Sequence, residues 1–213
     1  MPWYERIKKE PMKPPEPDDQ LFEQLRAGRE QAFVALYHRR QPALYRFALQ
    51  MSGSASVAED ITQEVFLALL REECGYDPSR GGLVAYLFGI ARKLLLRQYD
   101  RRRSDLLADT SGEAAGFAEP VDASDPLADL AAGELVEALR RAVASLPRRY
   151  REVVVLCDLE EVDYADAAAA LGCPIGTVRS RLHRARLMLA AKLRDERRGG
   201  VSVPGWKAAR CAI

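Results

Sequence analysis

Residues 163–186 read DYADAAAALGCPIGTVRSRLHRAR, and this stretch carries the clearest fold signal in the chain. Asp163 precedes a run of small apolar residues and predicts the N-terminal cap of a short helix. Gly172 follows that run as a left-handed turn residue, and Pro174 suits the first turn of a second helix. Two short helices joined by a glycine turn are typical of a helix-turn-helix, which binds duplex DNA.

The second helix of this motif has two chemically different faces. Its apolar residues share one helical stripe and are expected to be buried; they are Val178, Leu182, Ala185 and Leu189. The opposite face is basic, and its candidate duplex-contacting residues are Thr177, Arg179, Ser180, His183 and Arg184. Arginine bonds guanine bidentately or neutralises phosphate; Arg181 and Arg186, which flank the stripe, are assigned to the DNA backbone. A solvated basic face is the alternative, which the glycine turn and the small-residue first helix disfavour.

Length and composition are those of an ordinary globular protein, with 213 residues, 48% hydrophobic and 30% charged. No apolar run approaches the roughly 18 residues needed to span a bilayer. Residues 1–17 are rich in Pro and Lys and lack the apolar core of a signal peptide, so we expect a cytoplasmic protein without membrane insertion. The four cysteines form no CxxC pair and both histidines lie far from them, so we expect no metal and no other cofactor.

The formal net charge of +1 hides an uneven distribution of charge along the chain. Residues 104–133 contain seven acidic and no basic side chains, whereas the segments before and after them are both basic. The acidic segment is rich in Ala, Gly and Pro and only weakly periodic, which is typical of a flexible linker.

Helical periodicity without β alternation predicts an all-α fold of two small helical domains joined by this linker. The expected organisation is a disordered leader (1–17), a helical domain (18–103), the linker (104–133), a helix-turn-helix domain (134–195) and a tail with Trp206 (196–213).

Local signals within the first domain predict the positions of several helices. Pro42 should kink or interrupt a long helix, in which Tyr37 lies on the apolar side. Ser56 and Glu59 form a capping-box pattern that opens the next helix, with Leu70 among its inward residues. A further helix is expected from Leu83 to Arg103, and the pattern resumes at Glu134.

The helix from Leu83 carries a second candidate surface. Tyr86, Lys93 and Arg97 share one stripe, because 7 and 11 residues return nearly to the starting angle. Arg101 and Arg102 extend the positive charge. Cations beside an aromatic ring suit a single DNA strand, whose backbone meets the charges while an unstacked base meets the ring. The alternatives are that Tyr86 belongs to the core and that the arginines only complement the helix dipole.

A third candidate surface is acidic. Asp60, Gln63, Glu64 and Leu67 recur at the spacing of one helix face, opposite the residues expected to be buried. This face is either solvated or a site for docking another protein.

Four blocks, taken together and in this order, resemble the extracytoplasmic-function group of bacterial sigma factors. They are AEDITQEVFLAL (58–69), AYLFGIARKLLL (85–96), LPRRYREVVVL (146–156) and GTVRSRLHRAR (176–186). The resemblance extends from about residue 19 to residue 193 and implies two helical domains, sigma region 2 and sigma region 4.

The resemblance also implies partners and roles. Region 2 would bind the clamp of core RNA polymerase through Asp60, Gln63, Glu64 and Leu67. It would also melt promoter DNA at the −10 element, where Tyr86 stands in place of the family's usual Trp. Lys93 and Arg97 replace a common Asn and Asp, and Lys93 cannot accept a hydrogen bond from a base edge. Region 4 would contact the polymerase flap and read the −35 element through the candidate duplex-contacting residues. An anti-sigma factor is an expected further partner.

Three classes of function compete at this point. The first is a sigma factor; the second is a free-standing helix-turn-helix regulator whose N-terminal half is a sensor or dimerisation domain. The third is an enzyme, which we do not expect because the sequence has neither a glycine-rich phosphate loop nor a nucleophile–histidine arrangement.

Overall fold

The computed structural model describes residues 16–71, 75–108 and 130–198. Within these ranges all regular structure is helical, as the sequence predicts. The helices are α1 (Asp18–Arg26), α2 (Glu30–Ser52), α3 (Ala55–Leu70), α4 (Leu83–Ala108), α5 (Leu130–Ala144), α6 (Arg148–Val154), α7 (Tyr164–Leu171) and α8 (Ile175–Arg198). The predictions for residues 1–15, for most of the acidic linker and for the tail with Trp206 lie outside the described residues.

Helix α2 is continuous through Pro42, so the predicted interruption does not occur. Proline removes one backbone hydrogen bond and crowds the preceding turn. Leu36, Leu44 and Phe47 lie on both sides of Pro42 and are at most 1% exposed. Their burial holds the two halves of the helix to the same core and offsets the cost of the proline.

Helix α3 begins two residues earlier than the capping-box pattern indicates. Its N-cap is Ser54, whose side chain accepts a hydrogen bond from the backbone N–H of Val57 at 3.4 Å, whereas Ser56 lies inside the helix. Gly53 ends α2 with a left-handed φ of 68°, which makes Ser54 the first extended residue after the turn.

Two residues predicted on apolar faces lie at the surface. Leu70 is 49% exposed because it ends α3, about 100° around the helix from the buried Leu69. Tyr37 is 36% exposed, and one face of its ring packs on Phe66 at a centroid distance of 4.8 Å.

The helices around the linker are longer than the patterns predict. Helix α4 continues five residues beyond Arg103, to Ala108, and α5 begins at Leu130 rather than at Glu134. Ser104 and Asp105 in the first extension and Gly133 in the second weaken the helical pattern without preventing helix formation.

Helices α1–α4 and helices α5–α8 pack against each other through one continuous hydrophobic core. Helix α7 lies on α4, and the alanines of α7 allow close approach: a side-chain carbon built on Gly89 would lie 3.8 Å from the carbonyl oxygen of Ala170. No helix in the described ranges is long and apolar enough to cross a membrane.

Two ion pairs join the halves. Arg46 of α2 donates two hydrogen bonds to Glu160, at 2.9 and 2.6 Å, and the Glu160 side chain is only 2% exposed. Arg92 of α4 donates to Glu152 of α6 at 3.1 Å. Burial raises the pKa of Glu160, and its bonds to Arg46 offset this effect only in part.

Candidate nucleic-acid and protein-binding surfaces

The helix-turn-helix forms as the sequence predicts. Asp163 caps α7 by accepting a hydrogen bond from the backbone N–H of Asp166 at 2.8 Å. Gly172 adopts a left-handed φ of 62° after Leu171, which releases the chain from α7 into α8. The local signals at Asp163 and Gly172 therefore determine where α7 begins and where it ends before α8.

Helix α8 is buried along one stripe and exposed along the other. The predicted apolar stripe is confirmed, since Val178, Leu182, Ala185 and Leu189 are at most 4% exposed. On the opposite side, Thr177 is half-buried and the other four candidate residues, Arg179, Ser180, His183 and Arg184, are exposed. The Ser180 hydroxyl donates to the carbonyl of Thr177 at 3.0 Å, so its oxygen retains acceptor capacity towards a ligand.

Two arginines of α8, Arg184 and Arg186, lie close to side chains from other segments. Arg186 donates two hydrogen bonds, at 3.0 and 2.6 Å, to Asp158, whose side chain is 4% exposed. Two nitrogens of Arg186 are held by this ion pair, and its contact with the DNA backbone stays a prediction. The nearby guanidinium of Arg184 lowers the pKa of Tyr150, and Arg149 adds to the effect.

The second candidate surface occupies one side of α4. Tyr86 is half-buried, while Lys93, Arg97 and Arg101 are exposed. The backbone of Arg102 lies in α4, but its side chain is outside the described residues. The Tyr86 ring packs partly on the core and partly faces solvent, which is compatible with both interpretations of this residue.

A cavity of about 380 Å³ opens beside Tyr86. Lys93 and Arg80 supply positive charge to its wall, and Tyr76 supplies a second aromatic ring, 5.5 Å from the ring of Tyr86. The Tyr76 hydroxyl donates to Asp19, and burial together with this bond raises the pKa of Tyr76. Tyr76 was not among the residues predicted to bind DNA; it is the aromatic residue of the loop CGYDPSRGG, residues 74–82.

Asp19 also fixes the start of α4. The same carboxylate oxygen that bonds Tyr76 accepts the backbone N–H of Leu83 at 3.0 Å. One side chain from α1 therefore positions both the loop and the first turn of the helix that line the cavity.

Helix α7 forms part of the wall of the same cavity. Ala169 lies on its lining, and a side-chain carbon built on Gly81 would be 3.2 Å from that of Ala169. The backbone N–H of Gly82 donates to Asp166 at 3.3 Å. The cavity of the first half is therefore partly covered by the helix-turn-helix of the second half.

The acidic face of α3 is exposed over its whole length: Asp60, Gln63 and Glu64 are exposed, and Leu67 is 51% exposed. Glu64 forms a distant pair with Arg71 at 3.9 Å, a contact of little energetic weight at the surface. Leu70 adds a second exposed apolar side chain. Carboxylates beside exposed leucines are suited to contact with another protein.

In the part of the chain that the structure describes, no group of three or more His, Cys, Asp or Glu side chains could hold a metal ion. Burial raises the pKa of the Cys157 thiol to about 12, so it stays protonated and unreactive at neutral pH. Cys74 and Cys211 lie outside the described residues.

Comparison with protein families matches both halves of the chain. Residues 36–104 match Sigma-70 region 2, and residues 136–189 match Sigma-70 region 4. The first half therefore resembles a polymerase-associated domain rather than the sensor domain of a free-standing regulator.

Several curated proteins are similar in sequence. The chain is 34% identical to the ECF RNA polymerase sigma factor EcfG of Rhodopseudomonas palustris, over 71% of this chain and 80% of that protein. It is 28% identical to SigW of Bacillus subtilis, over 82% of this chain and 95% of that protein. It is 34% identical to SigE of Mycolicibacterium smegmatis, over 72% of this chain but only 58% of that protein.

Two solved structures are similar in fold. One is the sigma factor RpoE in complex with the anti-sigma factor NepR from Bartonella quintana, with a TM-score of 0.60 and 27% identity over 76% of this chain and 96% of that one. The other is CnrH in complex with the cytosolic domain of CnrY, with a TM-score of 0.61 and 25% identity over 84% and 97% of the two chains.

Proposed function

Because this chain belongs to the extracytoplasmic-function RNA polymerase sigma factors, we propose that it binds core RNA polymerase and opens promoters through two separate DNA-binding surfaces. The family assignment implies no enzymatic activity of its own. The observation that carries the proposal is that each matched region exposes a face of fitting chemistry, the arginines of α8 and the aromatic cavity of α4.

For the second half, residues 134–195, we assign −35 recognition to α8. Exposed residues near the start of the second helix of a helix-turn-helix reach base edges in the major groove. Arg179 and Arg184 are the candidates for base reading, with Thr177, Ser180 and His183 as supporting contacts. Arg181 and Arg186 stay the candidates for phosphate contacts, and Arg186 is also paired with Asp158.

For the first half, residues 18–103, we assign −10 binding and strand capture to α4 and its cavity. Flipping a base out of the duplex costs a few kcal/mol of stacking and pairing energy. An aromatic ring that stacks on the flipped base offsets part of this cost. Tyr86 with Tyr76 would supply the rings, and Lys93, Arg97, Arg101 and Arg102 would follow the strand backbone.

The acidic face of α3 is assigned to docking on the polymerase. Asp60, Gln63 and Glu64 would meet complementary polar groups, while Leu67 would supply buried apolar area at the centre of the contact.

An anti-sigma factor is proposed as a second protein partner. One similar solved structure contains an anti-sigma factor and the other contains the cytosolic domain of a bound protein, and the match covers 96% and 97% of the two aligned chains. Co-purification with a candidate inhibitor, followed by loss of transcription on its addition, would test this proposal.

Run-off transcription is the direct test of the proposed function. Core RNA polymerase would be mixed with promoter fragments from a genomic library, with and without the full-length chain. We expect promoter-specific transcripts only with the chain present. The absence of both polymerase binding and specific transcripts would refute the proposal.

A paired substitution on α3 tests the docking face. Combined Asp60→Ala and Leu67→Ala should weaken co-purification with polymerase, while Glu59→Ala is the matched control. Glu59 is also exposed on α3 but lies about 100° around the helix from Asp60. Equal loss of binding in both variants would show that the contact is not specific to this face.

A further inference from the structure

A chain of side-chain contacts leads from the interior of the second half to the exposed surface of α8. Its buried end is Asp158, in the helical turn that follows α6. The carboxylate of Asp158 holds both nitrogens of the Arg186 side chain that face it, at 3.0 and 2.6 Å. A bidentate pair of this kind fixes the plane of the guanidinium as well as its position.

The next contact in the chain is Tyr164, the first residue of α7. The pKa of Arg186 is raised mainly by its bonds to Asp158, with a smaller effect of the nearby Tyr164. Tyr164 follows the capping residue Asp163, so its backbone is fixed by the N-terminal cap of the helix.

The last contact joins Tyr164 to a candidate base-reading residue. The guanidinium carbon of Arg179 lies 5.9 Å from the centroid of the Tyr164 ring. This distance is within the range at which a cation is attracted to the face of an aromatic ring. Tyr164 is 37% exposed, so the ring lies at the surface beside α8 rather than within the core.

We propose that Tyr164 is a positioning residue for Arg179, which it holds over its ring in an orientation suited to reading a base in the −35 duplex. The inference rests on the proposed role of α8 in −35 recognition. Within that role it assigns a specific contribution to a residue of α7, outside the recognition helix.

The physical reason is the flexibility of an exposed arginine. A long side chain on a helix surface populates several rotamers, and the affinity for a ligand falls with the fraction of time spent in the competent one. Contact with a ring face engages the charge and not the N–H donors, so the donors of Arg179 stay available for a guanine edge. The ring therefore raises the competent fraction without competing with DNA.

The test uses the full-length chain with core RNA polymerase and a promoter library whose upstream −35 segment is randomised. Bound or transcribed promoters are sequenced for the wild type and for Tyr164→Ala, Tyr164→Phe and Arg179→Ala. The Leu187→Ala variant is the matched truncation, because Leu187 is an exposed α8 residue outside the contact chain, 56% exposed. Thermal melting of each variant confirms that it folds.

We expect Tyr164→Ala to weaken base preference at the same position as Arg179→Ala, by about two- to five-fold as for an exposed cation–ring contact. Tyr164→Phe keeps the ring and should keep the preference. A variant that combines Tyr164→Ala with Arg179→Ala should lose no more base preference than Arg179→Ala alone, because the two residues act through one contact. Leu187→Ala should select the wild-type sequences.

Two results would overturn the positioning role. One is an unchanged preference in Tyr164→Ala; the other is a uniform loss at every randomised position, which indicates a structural role. Failure of the wild-type chain to select any upstream element is a different outcome: it refutes −35 recognition by α8 and, with it, the role of Tyr164.

Discussion

The two helices assigned to DNA differ in how their cations are held. On α8, Arg179, Arg184 and Arg186 each contact a side chain of another segment of the second half. On α4, neither Lys93 nor Arg97 forms an ion pair within the part of the chain that the structure describes, and both are exposed. Among these residues, the three arginines of α8 lie against other side chains, whereas the two cations of α4 are free to change rotamer.

This difference matches the two forms of DNA that the helices are proposed to bind. A duplex offers base edges at fixed positions, so a side chain that is already oriented loses less entropy on binding. A melted strand has no fixed geometry, and its backbone can be followed by mobile cations while an aromatic ring accepts a base. The oriented arginines of α8 therefore suit a duplex, and the mobile cations of α4 suit a single strand.

The largest predicted effect is a difference in stability between two variants, one that truncates an arginine of α8 and one that truncates an arginine of α4. Arg186→Ala leaves the 4% exposed Asp158 carboxylate without its cation and should lower the free energy of unfolding by about 2–3 kcal/mol, somewhat less than for a fully buried pair because Arg186 is half-exposed. Arg97→Ala removes no ion pair and should change it by about 0.5 kcal/mol or less. Urea unfolding of both variants measures the difference in free energy of unfolding. Equal free energies would show that the cations of the two helices do not differ in how they are held. Adding Asp158→Asn to Arg186→Ala should restore part of the loss.

A second prediction concerns the contact between the halves. Arg46→Ala leaves Glu160 buried without its partner and should weaken their packing by about 2 kcal/mol, a value reduced from that of a fully buried pair because Arg46 is 40% exposed. Small-angle X-ray scattering should show a larger radius of gyration, and the exchanged pair Arg46→Glu with Glu160→Arg should reverse the change. Because the contacts that hold α8 all lie within the second half, −35 preference should persist. Its loss in Arg46→Ala would show that α8 depends on the first half.

A third prediction separates the ring of Tyr86 from its part in the core. Tyr86→Ala should raise the barrier to promoter opening by about 1–2 kcal/mol, through loss of base stacking, while polymerase binding stays unchanged. Tyr86→Phe keeps the ring and serves as the control. The rate of opening can be followed with permanganate footprinting. Equal loss of opening and polymerase binding would assign Tyr86 to the core alone.

The smallest effect is expected for the cations of α4. Lys93→Ala and Arg97→Ala should each reduce the salt dependence of single-strand binding by about 0.7 in the slope of log K against log salt, without changing sequence preference. Titrations of a fluorescent oligonucleotide at several salt concentrations provide the measurement. A change in base preference with an unaltered slope would mean that these residues read bases and that α4 resembles α8 after all.

Local signals in the sequence were sufficient for the helix-turn-helix. The cap at Asp163, the turn at Gly172 and the buried stripe of α8 each depend on residues within a few positions of one another. Capping and helical periodicity act over that range, so the sequence alone predicts the exposed face. The same reasoning failed at Ser56, because two serines near the start of α3 offered competing caps and the turn at Gly53 selected Ser54.

The contacts that hold the site could not be predicted in the same way. Arg186 pairs with a residue 28 positions away, and Arg46 pairs with one 114 positions away. Charged residues at such separations have many potential partners, and only the packing of the helices selects among them. Tyr76 was missed for the same reason, since its importance depends on the neighbouring ring of Tyr86.

The helical turn at Val155–Leu159 is wider than an α-helical turn and has the geometry of a π-helix. Asp158, which bonds α8, lies within this turn, and Glu160, which bonds α2, directly follows it. Each residue of a π-helical turn rotates by less than the roughly 100° of a regular α-helix, so an α-helical turn of the same length would rotate Glu160 relative to α6. Both ion pairs would then be lost together, whereas a substitution at Cys157 would leave them in place. At this point the structure constrains the conformation of the turn more tightly than the identity of its residues.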